Sequence, residues 1–224
     1  MYTLQEVYGT LQKNGFIVYK EPNRLNIVGI RSSNPSSLTF DDYLVFFYFD
    51  NKGNINGRVC PATTDPSVSW LNTPMSTSGA AILKSGQYVD CYKIGLHKGK
   101  YEALVQYKPV TVIRDNDRDS ILNFFAKTEI GIFGINIHKP TYKNDISLIG
   151  KDSAGCQVYK YIEDFNEMMR IAYISKNLYG NSFTYTLIDE FDSVKERRNY
   201  LSIGIAFIAI GIYGYWAYKK LQKK

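Results

Sequence analysis

Tyr200 to Tyr218, YLSIGIAFIAIGIYGYWAY, is a run of 19 residues without a charged side chain, and it divides the chain into a body and a tail. A helix of that length spans roughly 28 Å at about 1.5 Å per residue, close to the ~30 Å hydrocarbon core of a bilayer. Tyr213, Tyr215, Trp216 and Tyr218 gather at one end, as aromatic side chains do at a membrane interface. The expected organisation is a body over residues 1–192, a basic juxtamembrane linker over 193–199, a single transmembrane helix over 200–218 and a basic tail over 219–224. The alternative is a helix buried in a large assembly such as a virion, with the chain as a virion component. Three bases precede the run and four follow it, a slight bias toward a cytoplasmic C-terminus. The opening MYTLQEVYGT has no charged-then-apolar secretory pattern, so the expected topology is a C-terminal anchor without a signal peptide.

The net charge of +6 belongs to the tail, because seven bases and one acid lie from Lys195 onward and the preceding body is neutral. A nucleic-acid binder carries its basic excess on the folded domain, so nucleic acid is not an expected partner. Small residues Ser202 and Ala206, four apart, allow pairing of the apolar helix into an oligomer.

Within the body, 19 tyrosines and short runs of β-branched residues favour strands. Leu4, Val7, Tyr8 and Leu11 recur at helical spacing before Asn14-Gly15, which predicts a short amphipathic helix. Strands are predicted over 16–19, 25–30, 43–49, 55–60, 88–97, 101–108, 110–115, 131–138 and 183–188, with hairpin turns at Asn51-Lys52-Gly53-Asn54 and Lys98-Gly99-Lys100. Ile162, Phe165, Met169 and Tyr173 mark one face of a second helix that Gly180 caps. The expected fold class is mainly β with flanking helices (α+β), a sandwich or barrel-like sheet, plus the C-terminal helix.

Three cysteines is an odd count, so they cannot all pair within one chain, and two histidines with three scattered cysteines offer no metal spacing. Cys60 and Cys91 fall inside strand patterns and are expected in the core. Cys156, in Asp152-Ser153-Ala154-Gly155-Cys156-Gln157-Val158, lies in a loop before the second helix, and His138 ends an earlier strand. A thiol with a pKa of about 8.5 needs a neighbouring base to act at neutral pH, and an imidazole supplies one. The small Ala154-Gly155 pair would let the N–H groups of Gly155 and Cys156 approach a substrate oxygen as an oxyanion hole. Against this, an isolated cysteine is often a small buried hydrophobe and a histidine after a strand a satisfied core residue. His97, at a hairpin tip, is expected at the surface, with substrate contact as the alternative. Tyr88, Tyr92 and Trp70 could line a groove or simply pack. The charged run Arg114 to Asp119 is expected to be a solvated loop.

The spacing of His138, 14 residues and then Ser153-Ala154-Gly155-Cys156 resembles the signature of the L,D-transpeptidase catalytic domain, the YkuD family. The stretch Asn72-Thr73-Pro74-Met75-Ser76-Thr77-Ser78-Gly79 looks like an expanded form of that family's Thr-Pro segment, the likeness spans residues 55–160, and the combination INIH…SAGCQV resembles phage-encoded relatives. The resemblance implies a YkuD-like fold and a cofactor-free enzyme acting on peptidoglycan stem peptides. Cys156 would attack the carbonyl of the third residue of a tetrapeptide stem and expel D-alanine, with His138 moving the proton. Transfer to an amine would cross-link, whereas transfer to water would make a carboxypeptidase or endopeptidase. Ser153, Gln157, Lys139, Tyr92 and His97 are the substrate-binding candidates. The chain departs from the family at Ala154, where a histidine is usual, at Gln157-Val158 and at Lys139-Pro140. A catalytically altered structural or interaction module that keeps the fold is the competing expectation.

Overall fold

The structure, a computed structural model, describes residues 2–141 and 148–190. The apolar run, its basic flanks and the linker lie outside the described residues. Among the described residues no helix is long and apolar enough to cross a membrane.

The elements are α1 (Leu4–Lys13), β1 (Asn26–Arg31), β2 (Asp42–Phe49), β3 (Ile55–Thr63), α2 (Val68–Asn72), β4 (Ala80–Leu83), β5 (Gly86–His97), β6 (Tyr101–Gln106), β7 (Val110–Asp115), β8 (Thr128–Gly131), β9 (Ile137–His138), β10 (Gln157–Tyr159), α3 (Ile162–Tyr179) and β11 (Phe183–Asp189). They build a closed eight-stranded barrel in the order β1-β11-β5-β6-β9-β10-β3-β2 and a three-stranded sheet in the order β4-β7-β8. The fold is thus mainly β with a few helices.

Local chemistry explains the hairpins. The Asp50 carboxylate accepts from the N–H groups of Lys52 and Asn54, Gly53 supplies φ +80°, and β2 and β3 leave this turn in register from Phe49↔Ile55 to Asp42↔Ala62. Lys98 and Gly99 take φ of +50° and +69° and fold β5 back onto β6, pairing His97 with Tyr101. Thr3 and Glu6 form a reciprocal capping box at the start of α1.

Closing the barrel buries one face of its strands in a common core of Leu44, Phe46, Tyr92, Leu104, Ile137, Tyr159 and Tyr185, to which α3 adds Phe165, Met168 and Ile171. On the outer side of β1 and β2, Val28, Ile30, Val45 and Phe47 pack against Val7 and Leu11 of α1. Covering both faces is why β1 is an unbroken buried run rather than an alternating one. A third cluster joins Leu71 of α2 to Ala80, Ile82 and Ile113 of the small sheet.

Two segments depart from the expected strands. Residues 16–19 are extended but unladdered, because Ile17 and Tyr19 donate their N–H groups to the side chains of Gln87 and Asn26 at 2.9 and 2.8 Å. Of the predicted strand over 131–138 only the ends are laddered, Gly131 as the last residue of β8 and Ile137–His138 as β9, and Gly134 between them has φ +72°. In the gap the Gln106 side-chain oxygen accepts from Phe133 and Ile135, each at 3.1 Å. Three short elements, α2, β4 and β10, were not expected.

Candidate active site

β9 and β10 pair in parallel, Ile137 with Gln157 and His138 with Val158, whereas the barrel's other registered pairs are antiparallel. Paired positions share a face of the sheet. Ile137 belongs to the barrel core, so His138 and Val158 face outward, and the alternation extends that face to Asn136 and Cys156. Cys156 stands diagonally across from His138, one strand over and two positions back, a placement in which Cα atoms lie about 7–8 Å apart.

The backbone of β9 anchors the cysteine. Asn136 accepts the Gln157 N–H through its carbonyl at 2.8 Å and turns its own N–H toward the Cys156 sulfur, an influence that favours the thiolate. The thiol donates to the Gly134 carbonyl at 3.4 Å. Burial dominates these effects and pushes the thiol up from its ordinary value, with the Asn136 N–H and the Lys98 charge opposing it.

His138 is oriented by its own chain. Its Nδ1–H donates to the Lys139 carbonyl at 2.7 Å, and the Tyr101 hydroxyl shares the same carbonyl at 3.4 Å. Nε2 therefore carries the lone pair, and it is buried without a hydrogen-bond partner among the described residues. Burial drives the pKa of His138 down to about 4 against the opposing Lys139 contact, with Lys98 lowering it further. The resting pair is thus a neutral thiol and a neutral imidazole, not an ion pair.

His97 is the main correction to the sequence reading. It is not a surface residue of the hairpin tip: it is 4% exposed, and its ring stacks on His138 with centroids 4.2 Å apart and planes at 29°. Lys139 lies at the rim with its ammonium 4.6 Å from the centre of the Tyr101 ring.

The other candidates are placed elsewhere. Ser153 and Gln157 are fully buried. The Ser153 hydroxyl lies 2.7 Å from both the Asp65 and the Cys156 carbonyls, so it ties the loop that carries the cysteine to the segment after β3. Gln157 faces the barrel interior, donating to the carbonyls of Thr64 and Gly155 and accepting from Tyr185 at 2.6 Å. Tyr92 is buried edge-on to Tyr185. These three side chains hold the barrel and the loop and do not present themselves to a substrate.

Gly155 also changes role. Its N–H donates to the Ser153 hydroxyl at 3.2 Å and is not free for an oxyanion. The Cys156 N–H makes no hydrogen bond among the described residues and remains as a donor. The reason for glycine is backbone approach: φ is +119°, and a Cβ there would lie 2.3 Å from the Ala81 carbonyl oxygen of β4. Beneath the loop, Arg31 and Asp65 form a buried ion pair at 2.8 Å, and Arg31 also donates to the Leu83 carbonyl at 2.7 Å. The three cysteines are unpaired, with Cys60 and Cys91 buried and Cys156 partly accessible. Among the described residues no cluster of histidine, cysteine and carboxylate side chains is arranged to hold a metal ion.

No family model matches the chain, and no curated protein matches it.

Proposed function

We propose that the body is a cysteine-dependent acyltransferase or peptidase acting on peptidoglycan stem peptides, tethered by the apolar run at 200–218. One observation carries the reading: His138 is fixed through Nδ1 to the Lys139 carbonyl, which leaves Nε2 without a partner among the described residues, on the barrel face that also bears Cys156. In the reaction the thiol proton moves to His138 Nε2 while sulfur bonds to the substrate carbonyl carbon. The developing oxyanion meets the Cys156 N–H, and collapse expels the amine, which takes the proton from His138. The stem-peptide substrate follows from the resemblance to L,D-transpeptidases. Lys98 and Lys139 add positive charge near the pair that suits a substrate carboxylate.

A second reading, an inactive interaction module, draws on the commitment of the Gly155 N–H to Ser153 and on the burial of Ser153 and Gln157. Intact-mass measurement of the full chain incubated with a tetrapeptide stem separates the two. An acyl adduct or released D-alanine, present in the wild type and absent in Cys156→Ala, is the expected result. Folded protein that gives neither leaves the module reading.

A further inference from the structure

The chain has two histidines, they stack, and the proposed chemistry uses one of them. The tautomer of the other follows from a relay of donors with one solution. The Gln106 backbone N–H can only donate, so the Asn136 side-chain atom 2.9 Å from it is the amide oxygen. The amide nitrogen then faces His97 Nδ1 at 2.9 Å and donates to it. A ring that accepts at Nδ1 carries its hydrogen on Nε2 and is neutral. Protonation at Nδ1 would set N–H against N–H in a buried place, a conflict that adds to the effects of burial, His138 and Lys98 in holding His97 down at about 4.

We propose that His97 is a positioning residue for His138: locked by Asn136 as a neutral Nε2–H ring, it stacks on the His138 imidazole and holds that ring's bare nitrogen in place for Cys156. The inference rests on the acyl-transfer reading of Cys156 and His138. The hydrogen bond to Lys139 leaves the His138 ring one rotational freedom, a swing about the bond direction, and a flat neighbour 4.2 Å away removes it. When His138 takes the thiol proton, the imidazolium lies against a neutral aromatic face, which attracts a cation. A second titrating imidazole would instead repel it. Among the described residues, the charged and titratable groups around the pair are Lys98 at the hairpin tip, Lys139 and Tyr101 at the rim, Asp152 beyond Tyr101, and Cys156. Ala154 leaves the loop itself without an imidazole, and β5 supplies one from the other side.

The test uses the full chain labelled with nitrogen-15 at histidine, whose long-range proton–nitrogen spectrum contains only two imidazoles. The expected spectrum at neutral pH shows His97 protonated on Nε2 and His138 on Nδ1, with neither ring gaining a second proton above about pH 5. In parallel, the rate of Cys156 alkylation by iodoacetamide is followed from about pH 5.5 to 8.5. His97→Ala should slow it on the order of tenfold near neutrality and move its profile toward that of an isolated thiol, whereas His97→Phe, which keeps a flat ring, should stay within about twofold. An Nδ1–H tautomer at His97, protonation of His97 near its ordinary pKa of about 6.5, or an alkylation profile unmoved in His97→Ala overturns the proposal. The wild-type spectrum decides even if His97→Ala fails to fold. The expected spectrum and a shifted profile in protein that forms no acyl adduct would uphold the positioning role and remove the transfer reaction.

Discussion

Replacing Gly155 with alanine tests why the residue before the cysteine is a glycine. At φ +119° an L-residue is strained by about 1–3 kcal/mol. The added Cβ would sit 2.3 Å from the Ala81 carbonyl oxygen, more than an ångström inside ordinary contact, and that oxygen belongs to the backbone of β4, a strand paired with β7. Forcing a methyl into such a packed place adds a further ~1–3 kcal/mol. The sum, about 2–6 kcal/mol, is a large part of the 5–15 kcal/mol that holds a typical domain together. Gly99→Ala is the control, since Gly99 has φ +69° with nothing within 4 Å, so it should lose about 1 kcal/mol. At roughly 2–4 °C per kcal/mol, Gly155→Ala should melt on the order of 10 °C below the wild type and Gly99→Ala about 3 °C below it, followed by far-UV circular dichroism. Equal losses in the two variants would refute the close approach. They would return Gly155 to the role of leaving space for a substrate oxygen, in which alanine acts on turnover and not on melting.

Asp65→Ala removes the carboxylate from a guanidinium that is 2% exposed and should destabilise by about 3 kcal/mol, read as a lowered urea midpoint; a change under about 1 kcal/mol would show that the pair does not anchor the loop. Among the three thiols, Cys156 should alkylate first and Cys60 last, because Cys156 keeps accessible surface while Cys60 is buried and pushed up to about 12; peptide mapping that finds Cys60 or Cys91 ahead would contradict the exposure order. Both histidines protonate at about 4 in the folded chain and at about 6.5 when unfolded, so the unfolded state binds more protons between those values and stability falls as pH drops through that window. Asp42, raised to about 8 by burial and by Asp65, acts in the opposite sense, so the histidine contribution is read as the difference between wild type and His138→Phe, and a difference independent of pH from about 4 to 6.5 would refute it. Asn136→Asp exchanges the donor at His97 Nδ1 for an acceptor while still accepting from Gln106, so His97 should protonate at a higher pH in the two-imidazole spectrum; an unmoved titration would break the relay.

The fold was legible where side-chain period or turn chemistry encodes it. The spacing of Val7 and Leu11, the Asp50 to Asn54 turn, the Lys98-Gly99 turn and the Gly180 cap each specify a local structure that the barrel keeps. The two misplaced strands fail for a shared reason. Residues 16–19 and 132–136 have strand-like composition, but their N–H groups are taken by the side-chain amides of Gln87, Asn26 and Gln106, which lie up to 70 residues away. Pattern reveals which segments are extended, not what satisfies them. β4 and β10 escaped notice because each is buried along its whole length and runs for only four and three residues, too short for alternation to register.

At the site the spacing of His138 and Cys156 was legible, while their surroundings were not, and Asn136 shows why. Within the predicted strand it reads as one more polar position. In the barrel its carbonyl fixes the start of β10, its N–H turns to the Cys156 sulfur, its amide oxygen holds β6, and its amide nitrogen sets the tautomer of His97. The links reach the start of β10, β6 and β5, so no single segment carries the signal. His97 is the counterpart: a hairpin tip predicts solvent, but the β5–β6 register sets it opposite Tyr101, beside the end of β9, where stacking on His138 buries it. The spacing of Cys156 and His138 is thus carried by the sequence. The tautomer of His97 beside them is a matter of barrel closure, which brings the Asn136 amide, just before β9, against an imidazole from β5.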